Sequence, residues 1–485
     1  MTIEELDLAF HPRSIAVVGI SNGTISIGRN FIQQLKEYGY RGNIYPVTKN
    51  RVEVVGLKAY ATIKDIPGQV DYVICCLPAS EIMDLLRECS DKDVRVVHLF
   101  TARFSETGKK EATELENEIL RLAKKLSIRI IGPNCMGVYH PKQGLGFAFD
   151  FPKEPGKLGM FLQSGGAASE FVYYAALRGI RISKMMSYGN ALDINETDIL
   201  EYLANDKDTE IIAGYVEGIR DGRAFVRQLS QTTPSKPVVI LKAGRGSAGA
   251  EAAASHTAAM AGSEQAWTAA FKQSGVIEAR TLQDMIDLIV AFYFLPPILG
   301  TRVGIAGGGG GNSVLSAGEW GEAGFDVAPL PQDTEEMIRE IMPELWWGWI
   351  RNPVDLSILP INESSPNLSG DILKMMAKSD AFDFVVANFA IGGPFSKEQL
   401  HLYLKRQVED VIEARQMGTK PVVAVIDTGH LTPNEFDDLR WKSLAEVTPR
   451  LIDAGIPIFS NNDWAASSLM SLIQHHRRRE AIFSA

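Results

Sequence analysis

The sequence is poor in cysteine. Only four cysteines occur in 485 residues, and no two of them form a C-x-x-C pair: Cys75, Cys76, Cys89 and Cys135. This excludes a disulfide scaffold and favours reduced thiols in the cytoplasm. No group of histidines, cysteines and carboxylates has the spacing of metal ligands either, so we expect no metal site in this chain.

Long apolar runs and positive charge are also scarce. The longest apolar run, LIVAFYFLPPILG at 288–300, is well short of the ~20 residues that span a bilayer. The opening residues, MTIEELDLAF, are acidic and lack the apolar centre of a signal peptide. The net charge is −10 at pH 7, which argues against nucleic acid or a membrane surface as a partner. We therefore expect a cytoplasmic protein.

What the sequence does contain is a regular alternation of short Val/Ile-rich runs with segments of helical period. This pattern predicts parallel sheets covered by helices. The predicted strands fall into three blocks: 14–19, 43–47, 71–78, 95–100 and 129–134; 158–165, 184–189, 210–218 and 237–244; 302–311, 383–392, 421–427 and 457–461. Stretches rich in Gly and Pro at 140–157 and 295–301 separate the blocks. We predict α/β domains at 1–145, 155–297 and 300–480, of which the first is Rossmann-like.

Glycine-containing turns follow the first strand of each block. They lie at Gly19–Gly28, Ser164–Ala167 and Gly307–Asn312. A strand, a turn of small residues and a helix together expose backbone N–H groups that bind anions. The first turn matches neither G-x-G-x-x-G nor the P-loop, so it is either a phosphate site or a plain turn. The second and third turns together suggest one anion held between two helix N-termini.

A single histidine, His256, lies among small residues in the stretch EAAASHTAAMAGSE at 251–264. Glycines at 244, 246, 249 and 262 border or interrupt this segment. A nitrogen nucleophile on a segment of small residues is suited to carry a phosphoryl group between two sites. The alternative is a loop histidine without a role, and this stretch alone does not decide between them.

Seven motifs resemble, in order, the α subunit of the ADP-forming acyl-CoA synthetases, which are relatives of succinyl-CoA synthetase. They are IGPNCMG (131–137), LQSGGAASEF (162–171), SYGNALDI (187–194), GYVEGIRDGR (214–223), LKAGRGSAGAEAAASHTAAMAG (241–262), AAFKQSGVI (269–277) and RNPVDLS (351–357). The resemblance covers nearly the whole chain. It implies a CoA-binding Rossmann-like domain followed by two flavodoxin-like domains.

The resemblance also assigns roles to residues. It implies that His256 is transiently phosphorylated and that Glu217 orients it; without the resemblance, Glu217 reads as a surface carboxylate at a strand end. The implied phosphate-binding residues are Ser164, Gly165, Gly166, Ala167, Gly309, Gly310, Gly311 and Asn312. The implied CoA-binding residues are Gly19, Ser21, Asn22, Gly23, Leu77, Pro78, Ala79 and Asn134.

The chain departs from the family's pattern at several positions. Ala258 follows SHT where glycine is usual, the third turn reads GGGGGNSV, and the first turn lacks the usual Pro-x-Lys-x-Gly. No segment resembles an ATP-grasp domain, so the resemblance implies a separate β subunit that binds ATP/ADP and Mg²⁺, in a hetero-oligomer such as α2β2. The alternative function is a non-catalytic regulator that binds CoA or acyl-CoA on the same scaffold, and His256 together with Glu217 argues against it.

Overall fold

The computed structural model describes residues 3–484 except 22, 24, 50–51, 247–248, 250–263, 357–367, 390, 392–395 and 428–438. The chain forms two compact units, Met1–Met285 and Ile286–Ala485. The first unit contains two large sheets and the second contains one. Among the described helices, none is both long enough and apolar enough to cross a membrane.

Helices and strands alternate through the first unit, as the periodicity predicts. In chain order they are α1 (Ile3–Phe10), β1 (Ser14–Val18), α2 (Ile27–Glu37), β2 (Asn43–Val47), β3 (Glu53–Val54), β4 (Leu57–Lys58), β5 (Tyr72–Cys75), α3 (Ile82–Asp91), β6 (Val96–Leu99), α4 (Lys110–Lys125), β7 (Arg129–Ile131), β8 (Gly137–Tyr139), β9 (Leu158–Leu162), α5 (Gly165–Leu177), β10 (Ile182–Ser187), α6 (Glu196–Asn205), β11 (Ile211–Val216), α7 (Gly222–Thr232), β12 (Val238–Lys242), α8 (Glu264–Ser274), β13 (Ile277–Ala279) and α9 (Leu282–Phe294), which continues into the second unit.

The second unit has the same alternation. Its remaining elements are β14 (Val303–Gly307), α10 (Gly310–Glu322), α11 (Gln332–Ile341), α12 (Leu368–Lys378), β15 (Phe384–Phe389), α13 (Lys397–Met417), β16 (Val422–Ile426), α14 (Leu439–Asp453), β17 (Ile458–Phe459) and α15 (Asn462–Ser484). Each strand predicted from the sequence corresponds to an observed strand. The predicted domain boundaries at 140–157 and 295–301 stay a prediction.

The first two sheets share one strand order. The first runs β2-β1-β5-β6-β7 and the second β13-β12-β11-β9-β10-β8. When the five parallel strands of either sheet are numbered along the chain, the order is 2-1-3-4-5, which is that of flavodoxin-like folds. The exception is β8, which pairs antiparallel with β10, with Met185 opposite Tyr139. The prediction of parallel sheets holds for the other five strands of this sheet, and the antiparallel edge strand β8 was not predicted from the sequence.

The third sheet has the same arrangement. Its strands follow the order β14-β15-β16-β17, all parallel. On the free side of β14, Val354 forms a parallel bridge with Ala306, and its N–H donates to the carbonyl of Ile305 at 2.8 Å. Counting this short segment as the second strand restores the order 2-1-3-4-5. In such sheets ligands bind at the carboxyl ends of the first and third strands, where the winding reverses.

Candidate active site

The reversal point of the second sheet lies between β9 and β11. These strands are adjacent, with Leu162 opposite Tyr215. Gln163 follows β9, and its side-chain oxygen accepts the backbone N–H groups of both Glu217, in a short contact, and Gly218 at 3.0 Å. The backbone N–H of Gln163 in turn donates to the carbonyl of Tyr215 at 3.1 Å. One amide side chain thus fixes the backbone that carries Glu217.

Glu217 is not a surface carboxylate. Its side chain is 7% exposed and lies near two tyrosines and a lysine. Burial raises the pKa of Tyr215 to about 12, and Glu217 adds to this shift through its charge and a hydrogen bond. Burial also lowers the pKa of Lys242, which the charge of Glu217 opposes. Glu217 therefore lies in a largely desolvated environment, where electrostatic interactions are strong.

Helix α5 starts directly after Gln163, whose side chain binds the backbone of Glu217. Ser164 is its N-cap, and the Ser164 hydroxyl accepts the N–H of Ala167 at 3.2 Å. A side chain at Gly165 would place its Cβ 2.7 Å from Cγ of Met136, so the side chain of Met136 would have to shift. The predicted phosphate-binding residues Ser164, Gly165, Gly166 and Ala167 thus form one helix N-terminus, which is suited to bind an anion.

The reversal point of the third sheet lies between β14 and β15. Gly307 has a φ of +106°, and a Cβ on it would lie 2.1 Å from the carbonyl oxygen of Asn388. Helix α10 begins three residues later with Gly309 as its N-cap, which contributes no side-chain hydrogen bond. The predicted residues Gly309, Gly310, Gly311 and Asn312 therefore form an uncapped helix N-terminus within the second unit.

In the first sheet, the reversal point joins two of the predicted CoA-binding segments. Gly19 follows β1 with a φ of +90°, and a Cβ on it would lie 2.7 Å from the backbone nitrogen of Leu77. The hydroxyl of Thr101 donates to the carbonyl of Leu77 at 2.5 Å, and the N–H of Asn134 donates to the carbonyl of Thr101 at 3.0 Å. Thr101 thus brings Leu77 and Asn134 together, a contact that sequence reasoning missed.

The other predicted CoA-binding residues extend from the same edge. Ser21 and Gly23 are exposed, and Pro78 precedes a short 3₁₀ turn, Ala79–Glu81. Asn22 lies outside the described residues. The edge therefore presents exposed backbone between β1 and α2, which a ligand can approach closely.

A further polar residue, Asn190, was not predicted from the sequence. Its side-chain nitrogen donates to Glu106 Oε2 at 2.7 Å and to Glu116 Oε1 at 3.3 Å, and its side-chain oxygen lies 3.4 Å from the side-chain nitrogen of Asn134. Its backbone carbonyl accepts from the guanidinium of Arg220 at 3.3 Å. Asn190 therefore connects the predicted CoA side with the loop after Glu217. Its position in the motif SYGN, three residues after the end of β10, is a sequence signal that points to it.

His256 lies outside the described residues, as does the rest of 250–263. The chain enters this segment after β12, whose last residue, Lys242, is opposite Val216 of β11. The strand that leads toward His256 is therefore the neighbour of the strand that ends beside Glu217. Cys135 is 4% exposed, and burial raises its thiol pKa, which fits packing rather than nucleophilic chemistry. Among the residues described, no cluster of three metal-ligating side chains occurs.

Two domain families match successive parts of the chain, which together span nearly all of the first unit. Residues 13–141 match the CoA binding domain, and residues 155–292 match the flavodoxin-like domain of succinyl-CoA ligases. The first unit is therefore a CoA-binding, ligase-type assembly of two α/β domains.

Comparisons over the whole chain identify the family. The chain is 40% identical to the α subunit of acetate–CoA ligase [ADP-forming] II from Pyrococcus furiosus, over 97% of each chain. It is 35% identical to acetate–CoA ligase [ADP-forming] of Methanocaldococcus jannaschii over 73% of this chain, and the match spans 49% of that longer protein. The chain belongs to the family of ADP-forming acyl-CoA ligases. Among solved structures, Candidatus Korarchaeum cryptofilum dinucleotide-forming acetyl-coenzyme A synthetase 1, in complex with phosphate and ADP, matches with a TM-score of 0.82 and 28% identity, covering 100% of this chain and 98% of that one.

Proposed function

We propose that this chain is the α subunit of an ADP-forming acyl-CoA synthetase, which converts a carboxylic acid, CoA and ATP to acyl-CoA, ADP and phosphate. Relatives that match the full length of the chain are α subunits of ADP-forming acetate–CoA ligases, which supports this reaction. The observation that carries the proposal is the burial of Glu217 at the reversal point of its sheet, where Gln163 joins its backbone to the start of α5.

In the proposed mechanism, His256 and Glu217 act as one unit. A ring nitrogen of His256 takes the terminal phosphoryl group of ATP, and ADP leaves. An oxygen of the carboxylic acid then attacks this phosphorus, which forms an acyl phosphate and frees the histidine. Glu217 accepts the N–H of the other ring nitrogen, fixes the tautomer and stabilises the positive charge on the ring. The sulfur of CoA attacks the acyl carbon, the bond to phosphate breaks, and the thiol proton leaves with the products.

We further propose which backbone groups bind the anions. The N–H groups of Ser164–Ala167 bind phosphate in the first unit, and those of Gly309–Asn312 form an anion site of the second unit. CoA lies along the carboxyl edge of the first sheet, against Gly19, Ser21, Gly23 and the segments at Leu77–Ala79 and Asn134. The match of residues 13–141 to a CoA binding domain supports this placement.

The nucleotide site belongs, in this proposal, to an ATP-grasp β subunit that also binds Mg²⁺, in an assembly such as α2β2. The match to the M. jannaschii ligase covers 73% of this chain but only 49% of that protein, so the single-chain relative has room for a further domain. From Lys242 to His256 the chain has 14 residues, which reach at most about 50 Å when extended, enough for transfer between separate sites.

The test is reconstitution with the partner subunit. We expect the chain alone to bind CoA but to make no acyl-CoA from ATP, and the complex to release ADP when acid and CoA are both supplied. The complex should carry an acid-labile, base-stable label from ATP labelled in its terminal phosphate. His256→Ala should remove both the label and the overall reaction. Synthesis of acyl-CoA by the single chain, or a label that persists in His256→Ala, would contradict the proposal.

A further inference from the structure

A small cavity lies in the second unit, where β14 and β15 end against the helices α12 and α13. Its volume is about 10 Å³, which is the space of one atom or molecule of the size of water. The described residues that line it are mostly apolar, and four are polar: Ser369, Asn388, Gln407 and Asp410. Gln407 and Asp410 are three positions apart in α13, so they lie on one face of that helix.

Three of these polar side chains carry an oxygen that forms no hydrogen bond. The side chains of Asn388, Gln407 and Asp410 are each more than nine-tenths buried. Among the described residues, none provides a hydrogen bond to Asn388 Oδ1, Gln407 Oε1 or Asp410 Oδ1. A buried acceptor without a partner has lost its hydration, which costs free energy. Three such oxygens around one cavity therefore indicate an occupant that brings positive charge or hydrogen-bond donors.

Hydrogen bonds on the nitrogen side fix the orientation of both amides. The amide nitrogen of Asn388 donates to the hydroxyl oxygen of Ser316 at 3.4 Å, and the proton of that hydroxyl goes to the carbonyl of Asn312 in a short contact. The amide nitrogen of Gln407 donates to the hydroxyl of Tyr403 at 3.3 Å. In both side chains the oxygen, rather than the nitrogen, is therefore left for a ligand.

Asp410 supplies the negative charge of the cavity. The hydroxyl of Ser369 donates to Asp410 Oδ2 at 2.7 Å, so the hydroxyl oxygen keeps its lone pairs for a ligand. Nε of Arg406 lies 3.0 Å from Asp410 Oδ1, at an angle that gives no hydrogen bond. Burial raises the pKa of the Asp410 carboxyl, and a cation bound beside it would favour the ionised form.

The neighbouring charges also favour a cation. Lys374 lies 2.7 Å from Asp371 and 3.2 Å from Glu413, so two carboxylates share this lysine. Together with Asp410 and Arg406, these groups comprise three carboxylates and two basic side chains. The surroundings of the cavity therefore carry a net negative charge.

We propose that this cavity binds a potassium ion through Ser369 Oγ, Asn388 Oδ1, Gln407 Oε1 and Asp410 Oδ1. Potassium is close to water in size and is bound in proteins by uncharged oxygens that replace its hydration shell. Magnesium dehydrates reluctantly and keeps several waters, for which the cavity has no space. The ligands come from α12, β15 and α13, and only one of them is a carboxylate, so spacing in the sequence does not predict this site. The bound ion ties the carboxyl end of β15 to both helices.

The experiment measures thermal unfolding of the purified full-length chain at constant ionic strength. KCl, up to about 100 mM, replaces tetramethylammonium chloride, whose cation is too large for the cavity. We expect the unfolding temperature to rise by about 3–6 °C, the effect of a ligand at about ten times its dissociation constant. NaCl at the same concentration should give less than about half of this rise, because sodium is smaller than the cavity requires.

Gln407→Met separates ion binding from packing. Methionine fills a similar volume without the oxygen, so in tetramethylammonium chloride this variant should unfold at the wild-type temperature or above. In KCl it should lose most of the stabilisation, and so should Asp410→Asn, which keeps the size of the side chain and removes its charge. Gln416→Met is the matched control, because Gln416 is exposed on the same helix, and its response to KCl should equal that of the wild type.

Diffraction gives a direct measurement of the same site. Crystals grown with thallium(I), which replaces potassium, should show an anomalous peak between Asn388, Gln407 and Asp410. Equal unfolding temperatures in KCl and tetramethylammonium chloride would show that the cavity holds only water, and would overturn the potassium site. Equal stabilisation by sodium and potassium, a full response to KCl in Gln407→Met, or the lack of a thallium peak would overturn it as well.

Discussion

Hydrogen bonds fix the backbone of Glu217, and its side chain is buried. Gln163 accepts the N–H groups of residues 217 and 218, so the strand end cannot shift without breaking both hydrogen bonds. Burial raises the pKa of Tyr215 and the charge of Glu217 adds to that shift, whereas burial lowers the pKa of Lys242 and the charge of Glu217 opposes that shift. A glutamine at 217 would keep the size of the side chain and remove only the charge.

We therefore predict that Glu217→Gln slows phosphorylation of His256 by about 10–100-fold, the usual effect of losing a group that orients a histidine. Affinity of the chain for CoA should stay within about twofold. The measurement is rapid-quench labelling of the reconstituted complex, alongside calorimetry with CoA. Glu210→Gln is the control, because this carboxylate is exposed at the opposite end of the same strand, 3.2 Å from Lys157. Equal labelling rates in wild type and Glu217→Gln would count against the proposed role.

At the scale of elements, the three sheets differ in the residue at the end of the first strand. In two sheets this residue is a glycine, and in the other it is a glutamine. Gly19, directly after β1, and Gly307, the last residue of β14, have positive φ angles and lie against the backbone at the carboxyl end of the neighbouring strand. After β9 the corresponding position is Gln163, whose side chain reaches the next strand and binds its backbone. The second sheet thus uses a side chain to fix the edge where the proposed chemistry occurs.

Two glycines around α10 lie in different environments, and we predict opposite effects on stability when each is replaced by alanine. Gly307→Ala should destabilise the second unit by about 1–3 kcal/mol or more, because the added Cβ meets the carbonyl oxygen of Asn388 and the φ of +106° is strained for alanine. Gly318 lies within α10, and a Cβ added there would have no other atom within 4 Å. Gly318→Ala should therefore increase the free energy of unfolding of the second unit by up to about 1 kcal/mol. Urea unfolding of the two variants measures both effects, and a neutral Gly307→Ala would contradict the packing described.

At the scale of the whole molecule, buried titratable groups make stability depend on pH. His98 and His140 in the first unit are almost fully buried, and burial lowers the pKa of each to about 4. Burial raises the pKa of Glu196 to about 7. Between pH 6.5 and 4 the unfolded chain binds more protons at the two histidines, whereas the folded chain binds more at Glu196 below pH 7. The histidines therefore destabilise the fold as pH falls, and Glu196 partly offsets this effect.

We predict a lower free energy of unfolding at pH 5 than at pH 7.5, since each of these shifts is worth on the order of 3 kcal/mol when fully developed. His98→Gln should reduce the loss between the two pH values, and Glu196→Gln should increase it, because it removes the offsetting group. Thermal unfolding at the two pH values provides the measurement. A loss that is unchanged in both variants would show that other groups control the acid response.

Local patterns in the sequence determined which segments form strands and helices and which family the chain belongs to. Runs such as IIAGYV and VVILK show their apolar character over five or six residues, which is enough to predict β11 and β12. Two strands of three residues, β8 and β13, went unpredicted, although β7 is equally short and was predicted. The motif identified Glu217 as a candidate residue. The sequence did not predict that Glu217 is buried, because burial depends on the strands and helices packed around it.

Only the tertiary structure decided the order 2-1-3-4-5 and the contacts at the three reversal points. Thr101 forms hydrogen bonds with Leu77 and Asn134, which are 24 and 33 positions away in the sequence. Asn190 forms a hydrogen bond with Glu106, which is 84 positions away. Local propensity extends over a few residues, whereas such contacts depend on which strands become neighbours when the helices between them pack. The sequence by itself therefore determined the elements and the chemistry of the candidate residues. The fold decided which of those residues meet, because parallel strands pair only after the chain between them has crossed the sheet.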